Sequence, residues 1–274
     1  MRARPQIIYG TAWKEERTAA LVRLALDAGF RAIDTANQRK HYFEAAVGDA
    51  VARAIGDGVV ARAELFLQTK FTDAAGQDHR LPYDRRAPYA EQVAQSFASS
   101  LEHLHTDYLD SYVLHGPTRM VGLGDADWQI WRAMEELAHE GKARLLGVSN
   151  VSAEQLDALV GGADVKPAFV QNRCYARDGW GAEVRALCRA HDIAYQGFSL
   201  LTANRRELQL PRVRSIAERL GCTIPQLVFR FALDVGMVPL TGTTDGTHMR
   251  QDLDALALPP LDPRDVRALE TISN

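Results

Sequence analysis

Short apolar runs alternate along the chain with longer segments whose apolar residues recur every three to four positions. Ile7-Ile-Tyr-Gly10 reads as a strand. Glu15 to Ala28 reads as a helix, with Leu21, Val22, Leu24, Ala25 and Ala28 apolar and Gly29 as its stop. The same alternation predicts strands at Phe30–Asp34, Leu65–Lys70, Tyr108–Leu114, Arg144–Val148, Ala168–Gln171, Ile193–Gly197 and Met237–Leu240. Helices are expected at Phe43–Ile55, Tyr89–Leu104, Asp127–His139, Ala153–Val160, Gly181–His191 and Thr247–Leu256. Helical material covers Pro211–Leu233, and Asp262–Ile272 forms a terminal helix with no long loop after it. Strand–helix alternation of this kind implies a parallel sheet with right-handed crossovers. About eight such units in roughly 250 residues suit a closed α/β (β/α)8 TIM barrel, one domain over residues 1–274. An open doubly wound sheet shares the alternation, but its dinucleotide-binding form carries G-x-G-x-x-G after the first strand. Gly10-Thr-Ala-Trp13 stands there instead, and Gly122-Leu-Gly-Asp-Ala-Asp127 ends in Asp where the third glycine belongs and reads as loop. The barrel is the expectation.

Composition narrows the class. Lys+Arg 32 against Asp+Glu 35 gives a net charge of −3 over 274 residues, which argues against nucleic acid as a partner. No run of about eighteen apolar residues occurs, so no membrane span is expected. The start, Met1-Arg-Ala-Arg-Pro5, is basic but has no apolar signal region behind it. Cys174, Cys188 and Cys222 are widely spaced and odd in number, and read as small apolar side chains in a reducing cytoplasm. No HExxH, CxxC or carboxylate cluster suggests a metal, and His103 and His105 are two apart on a predicted helix and face different ways.

In a barrel of this type, chemistry gathers at the carboxyl ends of the strands. Those ends carry Asp34, Lys70, His115, Ser149-Asn150 and Gln171-Asn172. Any one of them could simply mark a strand leaving the core; five on one rim point to a site. Taken together, several segments resemble the aldo-keto reductase superfamily: Gly10-Thr-Ala-Trp13, Ala28 to Ala36, Phe66 to Lys70, Asp107 to Pro117, Trp131 to Leu137, Glu140-Gly-Lys142, Gly147-Val-Ser-Asn150 and Gly197 to Leu201. They fall in family order over almost the whole chain. The resemblance implies a barrel that binds a nicotinamide cofactor without a glycine-rich loop and reduces carbonyl compounds to alcohols.

The resemblance also implies a catalytic tetrad of Asp, Tyr, Lys and His, here Asp34, Lys70 and His115 with a tyrosine from the loop Asn37 to Glu44. Hydride arriving at a carbonyl carbon leaves negative charge on its oxygen, which a proton donor must neutralise. A free phenol, with a pKa of about 10, is a weak acid at neutral pH. The Lys70 ammonium is expected to lower it, Asp34 to hold that ammonium, and His115 to orient the carbonyl oxygen. The loop departs from the family spacing. Five residues after Asp34 stands Arg39, and counting back six from Val47-Gly48 gives His41. Tyr42 is the loop's one tyrosine and the expected acid, with His41 the alternative donor and otherwise a substrate contact.

By the same resemblance Thr11, Asp34, Ser149, Asn150 and Gln171 face the nicotinamide side, Phe198 stacks on its ring, and Ser199 and Leu201 (with Thr202 beside them) line the pyrophosphate. Thr241, His248 and Asp252 belong to the segment that meets the adenosine end. There the family's Lys and Arg positions hold Leu240 and His248. Thr241, Thr243, the helix start at Thr247 and Arg250 remain as phosphate partners. The two lost charge-assisted contacts weaken the preference for the extra phosphate, and NADP is the cofactor that the family resemblance implies, with NAD possible. Trp13, Phe71 and Pro117 form the expected apolar wall for a small-molecule carbonyl substrate, and Thr72–Pro88 and Arg173–Trp180 read as lids or as solvated loops. A monomer is the default. Two other functions share these residues: a catalytically impaired, nicotinamide-binding barrel acting as a regulatory or scaffold subunit, and a cofactor-independent aldolase or isomerase with Lys70 as a Schiff base.

Overall fold

Every residue of β3 (Phe66–Phe71) is buried, yet its two faces meet different surroundings. Phe66, Gln68 and Lys70 turn into the barrel, whereas Leu67, Thr69 and Phe71 turn outward to the helices. Side chains alternate at period two along a strand, so a closed sheet wrapped in helices has two buried faces. Its strands therefore read as near-continuous apolar runs.

The computed structural model describes residues 4–273; Met1, Arg2 and Ala3 of the basic start, and Asn274, lie outside the described residues. Eight strands close the barrel in chain order, each parallel to the next and β8 to β1. They are β1 (Ile8–Gly10), β2 (Ala32–Asp34), β3, β4 (Ser111–Leu114), β5 (Leu146–Ser149), β6 (Phe169–Arg173), β7 (Ala194–Phe198) and β8 (Met237–Thr241). Helices α1 (Thr18–Ala28), α2 (Glu44–Gly56), α3 (Tyr89–Leu104), α4 (Asp125–His139), α5 (Ala153–Gly162) and α6 (Ala182–Ala190) alternate with them. They continue as α7 (Pro211–Leu220), α8 (Ile224–Asp234), α9 (Gly246–Asp254) and α10 (Pro263–Glu270).

The large core lies between strands and helices, with Tyr9, Leu67, Tyr112, Trp131 and Phe231 among its members. Inside the barrel a smaller apolar plug of Ile8, Ala32, Phe66, Phe169, Ala194, Val238 and Leu240 fills one end. Registers Asp34↔Gln68 and Gln171↔Gln196 set four polar side chains on the inward faces of their strands. The wide, functional end opens beyond them.

The start of α2 is tied down from behind. Glu44 accepts hydrogen bonds from the outward-facing Thr69, from Ser100 at 3.1 Å, and lies 2.9 Å from His103 Nδ1. At Gly48 an added Cβ would stand 1.8 Å from the His103 carbonyl oxygen, so only glycine lets α2 cross α3 this closely. These contacts fix the loop that precedes α2.

Some boundaries differ from the sequence reading. Pro211–Leu233 is two helices, because Gly221 adopts φ 64° and Thr223 caps the second by accepting from the Gln226 amide. Helix α4 starts at Asp125, so the end of Gly122–Asp127 is helix rather than loop; the Asp127 carboxylate accepts from the Gly124 amide at 2.8 Å. Strand β4 begins only at Ser111, Leu109 making an isolated bridge to Ala143. Strand β6 runs on to Arg173. The three cysteines are free thiols, two of them buried. Among the described residues no helix is long and apolar enough to cross a membrane.

Candidate active site

At the open end lies a cavity of about 550 Å³, lined by Asp34, Tyr42 and His115 on one side and by Ser149, Asn150, Gln171, Phe198 and Thr241 on the other. Its deepest charge is the Lys70 ammonium, fully buried beneath it. Lys70 donates to Asp34 Oδ1 and Oδ2 and to the Thr35 carbonyl, each at 2.7 Å, which uses all three of its protons. Burial lowers the lysine's pKa and the Asp34 charge opposes that shift. An amine held in three such bonds has no free lone pair, so the structure does not support Lys70 as a Schiff-base nucleophile.

Tyr42 sits over this pair. Its ring centroid is 5.1 Å from Lys70 Nζ and 5.9 Å from the His115 ring, edge to face. Among the described residues its hydroxyl has no hydrogen-bonding partner, so it is free for a ligand. Burial raises the phenol's pKa and the Asp34 carboxylate adds to the rise. The expected lowering by Lys70 is thus reversed, because burial of the phenol, and after it the Asp34 charge, dominates. His115 Nδ1 lies 2.7 Å from Thr72 Oγ1, and burial followed by the Lys70 charge brings the imidazole down to about 3. It is neutral. His41 also lines the cavity but packs against Trp13 at the mouth, with centroids 4.1 Å apart and the rings tilted by 37°. Burial and the neighbouring Lys40 lower its pKa.

A family model for the Aldo/keto reductase family matches residues 6–274. The chain belongs to the aldo-keto reductase family. It is 31% identical over 276 residues to deoxymugineic acid synthase 1 of Oryza sativa subsp. japonica, covering 91% of this chain and 81% of that protein. Against morphine 6-dehydrogenase of Pseudomonas putida the identity is 29% over 258 residues, 87% of this chain and 77% of that one. A crystal structure of an aldo/keto reductase from Brucella melitensis superposes with a TM-score of 0.83 at 28% identity, covering 98% of this chain and 95% of that one. The silkworm Bombyx mori aldo-keto reductase, solved in complex with NADP, shares the fold with a TM-score of 0.81 at 24% identity over 99% of this chain and 90% of that one.

Around the reductase's cavity, Ser149 donates to the Gln171 carbonyl at 2.6 Å and Asn150 to the His115 carbonyl at 2.8 Å. Asn150 and Ser199 hold left-handed backbone conformations, φ 55° and 58°, where β5 and β7 turn out over the cavity. Phe198, Ser199, Leu201 and Thr202 line the groove as expected.

Besides Lys70 beneath the floor, five expected residues do not line it. Thr11 and Phe71 each follow an inward-facing residue, and alternation turns them outward. Thr11 is buried with its hydroxyl donating to the Asp34 carbonyl at 2.9 Å, and Phe71 stacks on Tyr83 in the outer core. Pro117 is drawn aside because Asp127, at the start of α4, accepts from the Thr118 amide at 2.6 Å. His248 lies exposed in the first turn of α9. Asp252 is buried behind Thr241, whose hydroxyl donates to it at 2.6 Å, and burial raises this carboxyl to about 6. Thr241 keeps a place in the lining, but its hydroxyl points away.

The helix start offered to a phosphate is already filled. Asp245 accepts from the amides of Thr247 and His248 at 2.8 and 3.0 Å. Cations arrive instead from elements that the sequence reading did not single out. Lys14, after β1, donates to the Gly242 carbonyl, and burial lowers its pKa to about 8. Arg173 stands 5.5 Å from the Phe198 ring centroid. Rim position could have flagged both: Lys14 follows Trp13 after the first strand, and Arg173 lies two residues beyond Gln171 on the same face. Of the two candidate lids, only Arg173 reaches the main cavity; Arg80 from the other lines a smaller polar pocket beside His41 and Tyr42.

Proposed function

We propose that this aldo-keto reductase reduces a small aldehyde or ketone with hydride from NADPH, NADH being the competing donor, and that Tyr42 delivers the proton. The observation that carries this reading is the Tyr42 ring, packed against both Lys70 and the neutral His115 on the cavity wall, with its hydroxyl unpartnered among the described residues. A nicotinamide dinucleotide fits the donor set of this chain. Gln171 Oε1 has no protein partner among the described residues and lines the cavity, Phe198 offers an aromatic face, and Lys14 and Arg173 bring positive charge to the groove. When bound, the dinucleotide supplies the hydride; the remaining chemistry belongs to side chains.

Burial keeps the Tyr42 proton in place at neutral pH, and the phenol releases it once negative charge develops on a nearby carbonyl oxygen. The Lys70 ammonium then stabilises the phenolate. In the tautomer in which Thr72 Oγ1 donates to Nδ1, the neutral His115 keeps its proton on Nε2 and offers it to the same oxygen as a hydrogen bond. Asp34 fixes Lys70 and takes no proton. Tyr42→Phe and His41→Ala, assayed with NADPH and a panel of aldehydes, test the assignment. Loss of the phenol is expected to slow reduction by roughly 10²- to 10⁴-fold while dinucleotide affinity, read by fluorescence quenching, stays near wild type. A large loss in His41→Ala with Tyr42→Phe near wild type would overturn it.

A further inference from the structure

Beneath the tetrad lies a polar layer that the proposed chemistry leaves unused. Gln68, Gln171 and Gln196 are buried inside the barrel together with Asp34. Gln68 and Gln196 form a reciprocal amide pair, Nε2 of each donating to Oε1 of the other at 2.8 and 2.9 Å. Gln68 Nε2 also donates to Asp34 Oδ1 at 2.7 Å. Gln171 Nε2 donates to Asp34 Oδ1 at 3.0 Å and to Gln196 Oε1 at 2.9 Å.

A carboxylate only accepts, so each amide atom beside Asp34 Oδ1 must be a nitrogen. That choice propagates. Gln68 Oε1 must then face Gln196 Nε2, and Gln196 Oε1 must collect the N–H groups of both neighbours. Both protons of Gln171 Nε2 are spent inward, and Gln171 Oε1 alone is left to the cavity. In a low-dielectric interior an alternative orientation would set oxygen against oxygen or orphan a buried N–H, and either is unfavourable.

We infer that Gln68 and Gln196 are positioning residues that, together with Asp34, lock the Gln171 amide with its oxygen toward the cavity, so that the site accepts a hydrogen bond from its ligand there and offers none. This rests on the nicotinamide reading above. It requires the amino group of the ring carboxamide, rather than its oxygen, to meet Gln171. A ligand lacking that N–H is penalised.

The test compares binding of NADPH with that of its 3-acetylpyridine analogue, in which a methyl ketone replaces the carboxamide, by fluorescence quenching on wild type, Gln196→Met, Gln68→Met and Gln171→Leu. The wild type is expected to prefer the carboxamide roughly tenfold, the worth of one buried hydrogen bond. Gln171→Leu sets the floor of that ratio. Gln196→Met frees one Gln171 proton and leaves Asp34 as the amide's one remaining inward acceptor, and should bring the ratio to within about threefold of the floor. Gln68→Met leaves the Gln196 acceptor in place and should lower the ratio less; it carries the test if Gln196→Met does not fold. A variant that loosened the barrel generally would weaken both ligands alike and leave the ratio unchanged. That result, or a wild-type ratio in folded Gln196→Met and Gln68→Met, overturns the lock while leaving the reductase reading intact. If the wild type binds neither dinucleotide, the reading itself fails and takes the lock with it.

Discussion

The two sides of the cavity are built on opposite plans. On the β2–β4 side, charges answer one another within the chain: Asp34 holds Lys70 in three 2.7 Å bonds with Thr35, and Tyr42 and His115 stay uncharged against that pair. Every group is fixed by more than one contact before a ligand arrives, as a site for charge development requires. On the β8–α9 side the chain satisfies its own helix start. Asp245 takes the amides of Thr247 and His248, and Thr241 is turned toward Asp252. Arg250 of α9 stays exposed beside Thr247 and outside the cavity wall, so the cations on the wall are Lys14, after β1, and Arg173 of β6. The contrast separates two demands. Chemistry needs an over-determined constellation, whereas affinity for a flexible phosphate chain can be assembled from whatever cations the rim brings near.

The comparison breaks most visibly at Lys70. Lys70→Met strands the Asp34 carboxylate in the barrel, and unfolding free energy should fall by about 3–5 kcal/mol in urea titration, with carbonyl reduction lost as well. A fall under 1 kcal/mol would mean that Gln68 and Gln171 alone satisfy the carboxylate.

The next effect is one of pH. His115 has a folded-state pKa of about 3, well under the ordinary 6.5, so protons bind the unfolded chain first as the solution is acidified. Its contribution to stability is present above pH 6.5 and is lost as pH falls from there toward 3. The rate of carbonyl reduction should consequently show no acid limb between pH 6 and 7. A limb near 6.5 that persists in His41→Ala and vanishes in His115→Gln would contradict a neutral His115 in the fold.

On the other side the effects shrink. Asp245→Ser keeps a capping oxygen for α9 but removes the charge, and the affinity ratio of NADPH to NADH should rise about threefold at low salt, the usual worth of one charge at a helix end. An unchanged ratio would place the extra phosphate elsewhere. Smallest is Asp252→Asn. Burial raises Asp252 to about 6, above its unfolded value, so its contribution favours folding at low pH and is lost as pH rises through 6. Removing that charge should raise Tm by about 2–4 °C at pH 7.5 and give no gain at pH 4. A lower Tm at pH 7.5 would show that the Thr241 bond outweighs the burial.

The chain's own residues made much of this legible. Alternating strand and helix periods implied eight parallel units, and the residue types at the strand ends marked Asp34, Lys70, His115, Ser149, Asn150 and Gln171. All of these come together at one end of the barrel, Lys70 beneath the cavity floor and the others on its wall. Two of the errors share a cause. Phe71 and Thr11 adjoin residues that do face the cavity, yet one step along a strand reverses the direction of a side chain. The buried glutamines were legible as polar residues at inward positions of apolar strands, Gln68 within Leu65–Lys70 and Gln196 within Ile193–Gly197, once that alternation is counted.

What the sequence determined by itself was the class of element and the chemistry available at each strand end, because both follow from local periodicity and residue type. Tertiary structure alone decided which side chains share a partner. The loop Asn37 to Glu44 left Tyr42 and His41 open as neighbours in a register that local spacing could not resolve. Glu44 anchored to Thr69, Ser100 and His103 fixes where α2 begins, and with it which ring turns to Lys70 and which to Trp13. Likewise Asp245 and Asp252 read as two more acidic residues until the fold set one on the end of α9 and the other behind Thr241. Charges interact through space, and neighbours in space are set by packing between elements far apart in the chain.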